Sequence, residues 1–316
     1  MQHDNFSQSA AHTILTTCAG AKKEDRILIA SDSHDRRVRY LSSVGEELGA
    51  LVSIEQIDGE ITREPTKELA KKMLDNEIII FCVNEKRTLL WGHADARVAA
   101  VRNGGRVLFL TQDLDDTPAP GELERISARS QRLGDILETV SDVSVVTGAA
   151  SQLEVKLAKR KSLRLSSLLS KPGSWGAVPD YAEAAVPPME TGSNGSLQVD
   201  GTIVGIGKVD SPVELKFENG RLRGISGGRV AKEFERLLSE YDDSARILCE
   251  LGFGTNHLRS EIRGEFDDKK ALGSLHIGLG DNHTFGGENR SSLHIDCLVS
   301  HPEVRFDGRI FDLMSL

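Results

Sequence analysis

Residues 249–297 read CELGFGTNHLRSEIRGEFDDKKALGSLHIGLGDNHTFGGENRSSLHIDC. They hold His257, His276, His283 and His294, with Glu250, Glu261, Glu265, Asp267, Asp268, Asp281, Glu288 and Asp296, and glycines fall between these groups. Imidazoles and carboxylates on glycine-rich turns are the donors of a transition-metal site in the borderline N/O class. The sharpest piece is Ser292-Leu293-His294-Ile295-Asp296. On a strand, residues i and i+2 point to one face, so His294 and Asp296 project together and can grip one ion. A second run, residues 273–280, offers His276 among apolar neighbours. A third, residues 247–252, offers Glu250 inside an apolar stretch, where a carboxylate is costly unless paired or bound to a cation. The plainer alternative makes His294 and Asp296 a hydrogen-bonded surface pair. Cys249 and Cys297, each beside a proposed ligand, are expected on the opposite strand face, in the core. Gly252, Gly254, Gly278 and Gly280 would allow close strand approach or bulges.

Upstream, the apolar runs 26–30, 51–57, 77–83 and 106–110 read as buried strands. They alternate with helical patterns near 10–21, 36–48, 66–75 and 94–103, which predicts a doubly wound parallel-sheet α/β domain. Ligands in such a fold sit at the carboxyl ends of the strands, here Ser31–His34 and Asn84–Lys86. No G-x-G-x-x-G or G-x-x-x-x-G-K-[ST] follows the first strand, so nucleotide binding lacks its fingerprint. His34 and His93 read as solvated loop histidines. Residues 122–140 and 151–161 read as helices with solvated charged faces. Residues 171–176 with Pro179-Asp180 read as a linker. It divides a scaffold domain, 1–170, from a mixed, mostly antiparallel α+β domain, 171–316, that carries the metal site. That second part contains a hairpin signal at Asn219-Gly220, a helix over 230–240 and a last hairpin over 304–311. Glu183 stands there among small apolar residues.

The net charge of −9, with a pI near 5.6, disfavours nucleic acid or an anionic membrane as partner. The partner expected is a small-molecule or short-peptide substrate, on which the charge itself says little. The four cysteines lack C-x-x-C spacing, which points to free thiols in a reducing, cytoplasmic setting. No secretory signal and no run of 18 apolar residues is visible.

Several pieces of the second half together resemble a known family. Glu183 lies seven residues before Glu190 of Pro188-Met189-Glu190, with Asn194-Gly195 just after. Then come Glu250-Leu-Gly-x-Gly-Thr-Asn256, Gly273-Ser-x-His276-Ile-x-Leu-Gly280, Gly286-Gly-x-Asn289 and His294-x-Asp296. These are similar to the thermophilic metallo-aminopeptidases of the aminopeptidase T and S type. Their superfamily also includes the iron-dependent 2,5-dihydroxypyridine 5,6-dioxygenases. The resemblance covers about residues 181–308 and is architectural before that. It implies a pair of divalent ions held by Glu183, Glu250, His276, His294 and Asp296, with Asp268 as a further acidic ligand, in a homodimer. The peptidases place a tyrosine seven residues after the first histidine, where this chain has His283. The dioxygenases resemble the chain in length and in lacking that tyrosine. Their single iron is held by two histidines and an aspartate. His294 and Asp296 match two of these, and Glu250 stands at the position of the other histidine.

The leading expectation is a metal-dependent hydrolase cleaving an amide or peptide C–N bond. One or two zinc, cobalt or manganese ions would polarise the carbonyl and activate water. Glu250 would bridge, Glu183 would serve as ligand or general base, and His283 would donate a proton or hydrogen bond. The alternative is a mononuclear iron(II) dioxygenase opening a hydroxylated N-heteroaromatic ring. Its ligands would be Glu250 or His276 with His294 and Asp296, and Phe253, Phe285 and Trp175 would line the ring slot. A third expectation is a metal-stabilised binding domain without activity, although a closed structural site favours cysteine ligands.

Overall fold

A computed structural model describes residues 2–33, 36–148 and 150–316. His34, expected as a solvated loop histidine, lies outside the described residues. The chain forms two compact units, 1–127 with 165–181 and 128–164 with 182–316. Among the described residues no helix is long and apolar enough to cross a membrane.

The first unit is built on a parallel sheet of β1 (Arg26–Ser31), β2 (Leu51–Gln56), β3 (Ile78–Cys82), β4 (Arg106–Leu110) and β5 (Trp175–Val178), in the order β2-β1-β3-β4-β5. The short apolar runs become its central strands because both faces are covered; every residue of β3 and β4 is buried. Ile27, Ile29, Ile78, Ile80, Leu108 and Leu110 make its core together with Ile14, Leu15, Leu41 and Val44. The helices are α1 (Gln2–Thr13), α2 (Arg36–Glu47), α3 (Lys67–Leu74), α4 (Glu85–Gly92) and α5 (Asp95–Arg102). Thr66 caps α3 and Asn84 caps α4, each side chain accepting from a backbone amide three residues on. Asn84–Lys86, read as a loop, is therefore the start of a helix, and His93 follows its last turn. Trp175 and Gly176, read as part of a linker, instead begin the strand 175–178 that completes the parallel sheet beside β4.

The second unit contains an antiparallel sheet of the strands 221–226, 213–218, 194–199, 151–156, 142–147, 303–306 and 309–311, in that order. The turn at Asn219-Gly220 has positive φ at both residues, 50° and 75°, as the expected two-residue hairpin requires. Residues 151–156 were expected as helix. They form a strand because Ser151, Leu153 and Val155 are buried while Gln152, Glu154 and Lys156 are exposed, a period of two. The hairpin 142–156 joins strands 194–199 and 303–306. The second unit therefore begins well before the boundary expected near residue 170. The other sheet of this unit is centred on β6 (Ala182–Val186), β7 (Leu248–Gly254), β8 (Leu275–Gly280) and β9 (His294–Val299), all antiparallel neighbours. The two sheets share one apolar core, with Leu153, Val155, Leu197 and Leu215 from the first and Leu251, Phe253, Ile277, Leu279 and Ile295 from the second.

Candidate metal centre

Alternation along β6–β9 sorts the side chains. Ala184, Val186, Leu251, Phe253, Ile277, Leu279, Ile295, Cys297 and Val299 enter the apolar core. Glu183, Glu250, His276, His294 and Asp296 take the other face. Four of the five are closed to water, Glu183 being 2% exposed, Glu250 3%, His276 0% and Asp296 1%, and His294 is partly exposed. Five ionisable groups buried together need mutual compensation or a cation.

Two glycines make the room. A Cβ on Gly278 would lie 2.8 Å from Glu250 Cβ, 3.1 Å from His294 Cε1 and 3.2 Å from Asp296 Oδ1. A Cβ on Gly252 would lie 2.2 Å from His276 Nε2. The groups converge over this bare stretch of sheet. His294 Nε2 is 3.2 Å from Glu250 Oε2 and 3.1 Å from Asp296 Oδ1. His276 Nε2 is 3.3 Å from Glu250 Oε1 and 3.5 Å from Glu183 Oε2. Glu250 thus belongs to two groups of three, Glu183–Glu250–His276 and Glu250–His294–Asp296, each with donor atoms within 4.8 Å of one another.

These donors suit a divalent ion. Neighbouring ligand atoms each about 2.1 Å from one ion stand about 3 Å apart, close to the 3.1 and 3.2 Å spacings around His294 Nε2. His294 Nδ1 lies 2.8 Å from the Asp281 carbonyl. Donation there leaves Nε2 as the atom aimed at the carboxylates, the second-sphere arrangement of metal-binding histidines. His276 differs: its Nδ1 is buried with no partner among the described residues. Burial alone would lower the His294 pKa, but the Asp296 carboxylate beside Nε2 raises it well above the usual imidazole value. Two carboxylates at His294 Nε2 mark a seat for positive charge, which a metal ion would take. Burial likewise opposes ionisation of Glu250 and Asp296. The two histidines beside Glu250, and Lys269 with His294 beside Asp296, nevertheless hold both below the usual carboxylate range.

Sequence reasoning missed two members of this cluster. Lys269 Nζ is 2.5 Å from Asp296 Oδ2 and 3.8 Å from Glu183 Oε2, and Lys270 Nζ is 2.7 Å from Glu183 Oε2. Both lysines are buried, Lys270 completely. Burial pushes Lys270 down to about 7, against the opposing pull of Glu183. Burial would raise Glu183, and Lys269, Lys270 and His276 more than offset this. The lysines arrive through a close crossing: a Cβ on Gly254 would lie 2.1 Å from the Ala271 carbonyl oxygen and 2.6 Å from the Lys270 carbonyl carbon. The Asn256 amide fastens the crossing by donating to Lys270 O at 2.9 Å.

Asp268 does not join the cluster. Its carboxylate accepts from the amides of Arg263, Gly264 and Glu265 and from the Thr202 hydroxyl, so it organises its own loop. His283 sits on a short 3-10 turn, His283–Phe285, outside the two groups of three. Phe285 packs edge-on against His294, ring centres 5.9 Å apart. Phe253 faces the core instead, against Phe306, and Trp175 lies in β5 beneath the Arg97 guanidinium. Cys249 departs from simple alternation. A bulge between Leu248 and Glu250 leaves its sulfur 3.6 Å from His294 Nδ1. Burial raises Cys249 to about 11 and Cys297 well above the usual thiol value, so neither supplies a thiolate.

The loop that carries Phe285 is clamped by Glu190. This carboxylate takes two bonds from Arg160, at 2.9 and 2.8 Å, one from Asn282 Nδ2 at 3.0 Å and one from the Glu288 amide at 2.7 Å.

Comparison with known proteins gives these residues a family. The family model of 2,5-dihydroxypyridine 5,6-dioxygenase, NicX, matches residues 12–311. The solved structure of a 2,5-dihydroxypyridine dioxygenase from Pseudomonas putida KT2440 superposes with a TM-score of 0.77 at 16% identity, covering 96% of this chain and 94% of that one. Wild-type AmpT from Thermus thermophilus superposes with a TM-score of 0.66 at 13% identity, covering 98% of this chain and 100% of that one. No curated protein sequence matches. The family match overturns the expected amide or peptide hydrolase, and with it the metallohydrolase class. The site also departs from that expectation: the Glu183 oxygen assigned to ligation or general-base work is engaged by Lys270. With nearly its whole length matched, the chain belongs to the 2,5-dihydroxypyridine 5,6-dioxygenase (NicX) family.

Proposed function

We propose that the protein is a mononuclear, iron(II)-dependent dioxygenase that opens a hydroxylated N-heteroaromatic ring, with Glu250, His294 and Asp296 as the metal ligands. The observation that carries this reading is the convergence of His294 Nε2, Glu250 Oε2 and Asp296 Oδ1 within hydrogen-bond distance over the bare Gly278. One imidazole and two carboxylates would leave positions on an ion for other ligands; the set differs from the two-histidine, one-carboxylate triad of non-haem iron oxygenases in having Glu250 where the triad has a second histidine. Iron(II) held there would supply the electron transfer toward dioxygen that no amino-acid side chain provides.

The chain's own groups do the rest. The Asp281 carbonyl fixes the His294 ring. Lys269 fixes Asp296 and compensates its charge. Phe285, against His294, offers a flat apolar partner to an aromatic substrate. His283, two residues away, is the group we assign to hydrogen-bond a ring hydroxyl. The superfamily resemblance adds a homodimer, and light scattering tests that assembly.

The direct test uses protein loaded anaerobically with iron(II) and offered 2,5-dihydroxypyridine and related hydroxylated pyridines. Oxygen uptake should match ring loss mole for mole. Ring loss at the same rate without oxygen, or no uptake with any of these rings, would defeat the proposal.

A further inference from the structure

By donor count alone the cluster has places for two ions, since Glu250 is common to two groups of three. The two halves are not equally built. His294 has its Nδ1 held by a carbonyl, whereas the Nδ1 of His276 has no partner among the described residues. The second half depends on Glu183, and its inward oxygen already has Lys270 Nζ at 2.7 Å and Lys269 Nζ at 3.8 Å.

We propose that Lys269 and Lys270 are a built-in counter-cation that fills the Glu183 half of the cluster, limiting the chain to one metal ion at Glu250–His294–Asp296. This rests on the metal site proposed above and adds the groups that set its stoichiometry. With the His294 imidazole neutral as a metal ligand and both lysines protonated, three carboxylates and two ammoniums leave one negative charge. One divalent ion turns this into one positive charge. A second would leave three positive charges, with the added ion beside Glu183 and His276, both closed to water, where like charges repel strongly.

The lysines are held in place. The Lys270 carbonyl accepts from Asn256, and the Leu272 amide donates to Asn256 O at 2.9 Å. Both ammoniums lie over the Phe266 ring, at 5.1 and 5.2 Å from its centre. A metal ion at Glu183 would have to expel groups whose backbone is pinned to Asn256, just beyond the end of β7. Lys269 and Lys270 thus act as positioning residues: they compensate carboxylates and touch no substrate.

The test counts ions. Protein stripped with chelator is dialysed anaerobically at neutral pH against cobalt(II), and metal per chain is read by elemental analysis. The wild type should hold one ion. Lys270→Met removes the charge but keeps an unbranched stem, and should hold two. Two ions in the wild type, or one in Lys270→Met, overturns the proposal. Should Lys270→Met not fold, Glu183→Gln decides. With Glu183 serving the lysines, that variant keeps one ion with affinity within about threefold of wild type; a loss of tenfold or more makes Glu183 a ligand and overturns the assignment. The count needs neither oxygen nor a ring substrate. A protein that consumes no oxygen still yields it, and one that consumes oxygen while holding two ions defeats only the lysine assignment.

Discussion

His294 joins three features of the centre: a carbonyl on Nδ1, two carboxylates at Nε2 and an aromatic edge against the ring. Replacing it with glutamine removes the imidazole while Lys269 still compensates Asp296. We expect His294→Gln to stay folded and to bind cobalt(II) more than about 100-fold more weakly. The cobalt visible spectrum, titrated against the wild type, checks this. That histidine was legible in the sequence because its signal is local: H-x-D on a strand puts both groups on one face. Glu250 was legible because an apolar run surrounded it. Lys269 and Lys270 were not. In residues 249–297 only histidines and carboxylates read as donors, and the tight crossing at Gly254, which turns the lysines inward, leaves no local signal. Asp268, one residue away, turns to its own loop's amides instead.

At the scale of elements, the loop between β8 and β9 is held by one carboxylate with four donors. Glu190 sits near a pKa of 2; its burial opposes this, and Arg160, the Glu288 amide and Asn282 bring it down. A folded-state pKa below the unfolded one, about 4.3 for glutamate, stabilises the fold fully above that unfolded value. The contribution disappears as pH falls from there toward 2. Glu190→Gln should therefore be less stable by about 1–3 kcal/mol at pH 7, and the gap should narrow between pH 4.5 and 3. Urea unfolding of both proteins across that range reads the difference; a gap independent of pH would remove the charge from the account. The sequence showed the Gly-Gly-x-Asn loop, but its partner Arg160 lies in a segment read as helix. There, lysines and arginines crowded the window and hid the short alternating strand 151–156.

On the scale of the molecule, four of the five strands of the first unit were legible as apolar runs alternating with helices. The second unit escaped such a reading because its sheet draws on distant pieces of chain, and strand pairing across long separations leaves no local signature. A cut at residue 170 would sever the hairpin 142–156 from strands 194–199 and 303–306. We expect the fragment 171–316 to lack cooperative unfolding and near-ultraviolet dichroism, and the fragment 128–316 to regain both. The same interleaving has a meaning for synthesis. On the ribosome, the parallel sheet has all five strands once residue 178 has emerged. Strand 142–147 must wait for 303–306, roughly 150 residues later. At translation speeds of about 5–20 residues per second, that leaves an unpaired strand edge exposed for roughly 8–30 s. During that interval the nascent chain depends on chaperones or on the hairpin's own twist to keep that edge from other chains.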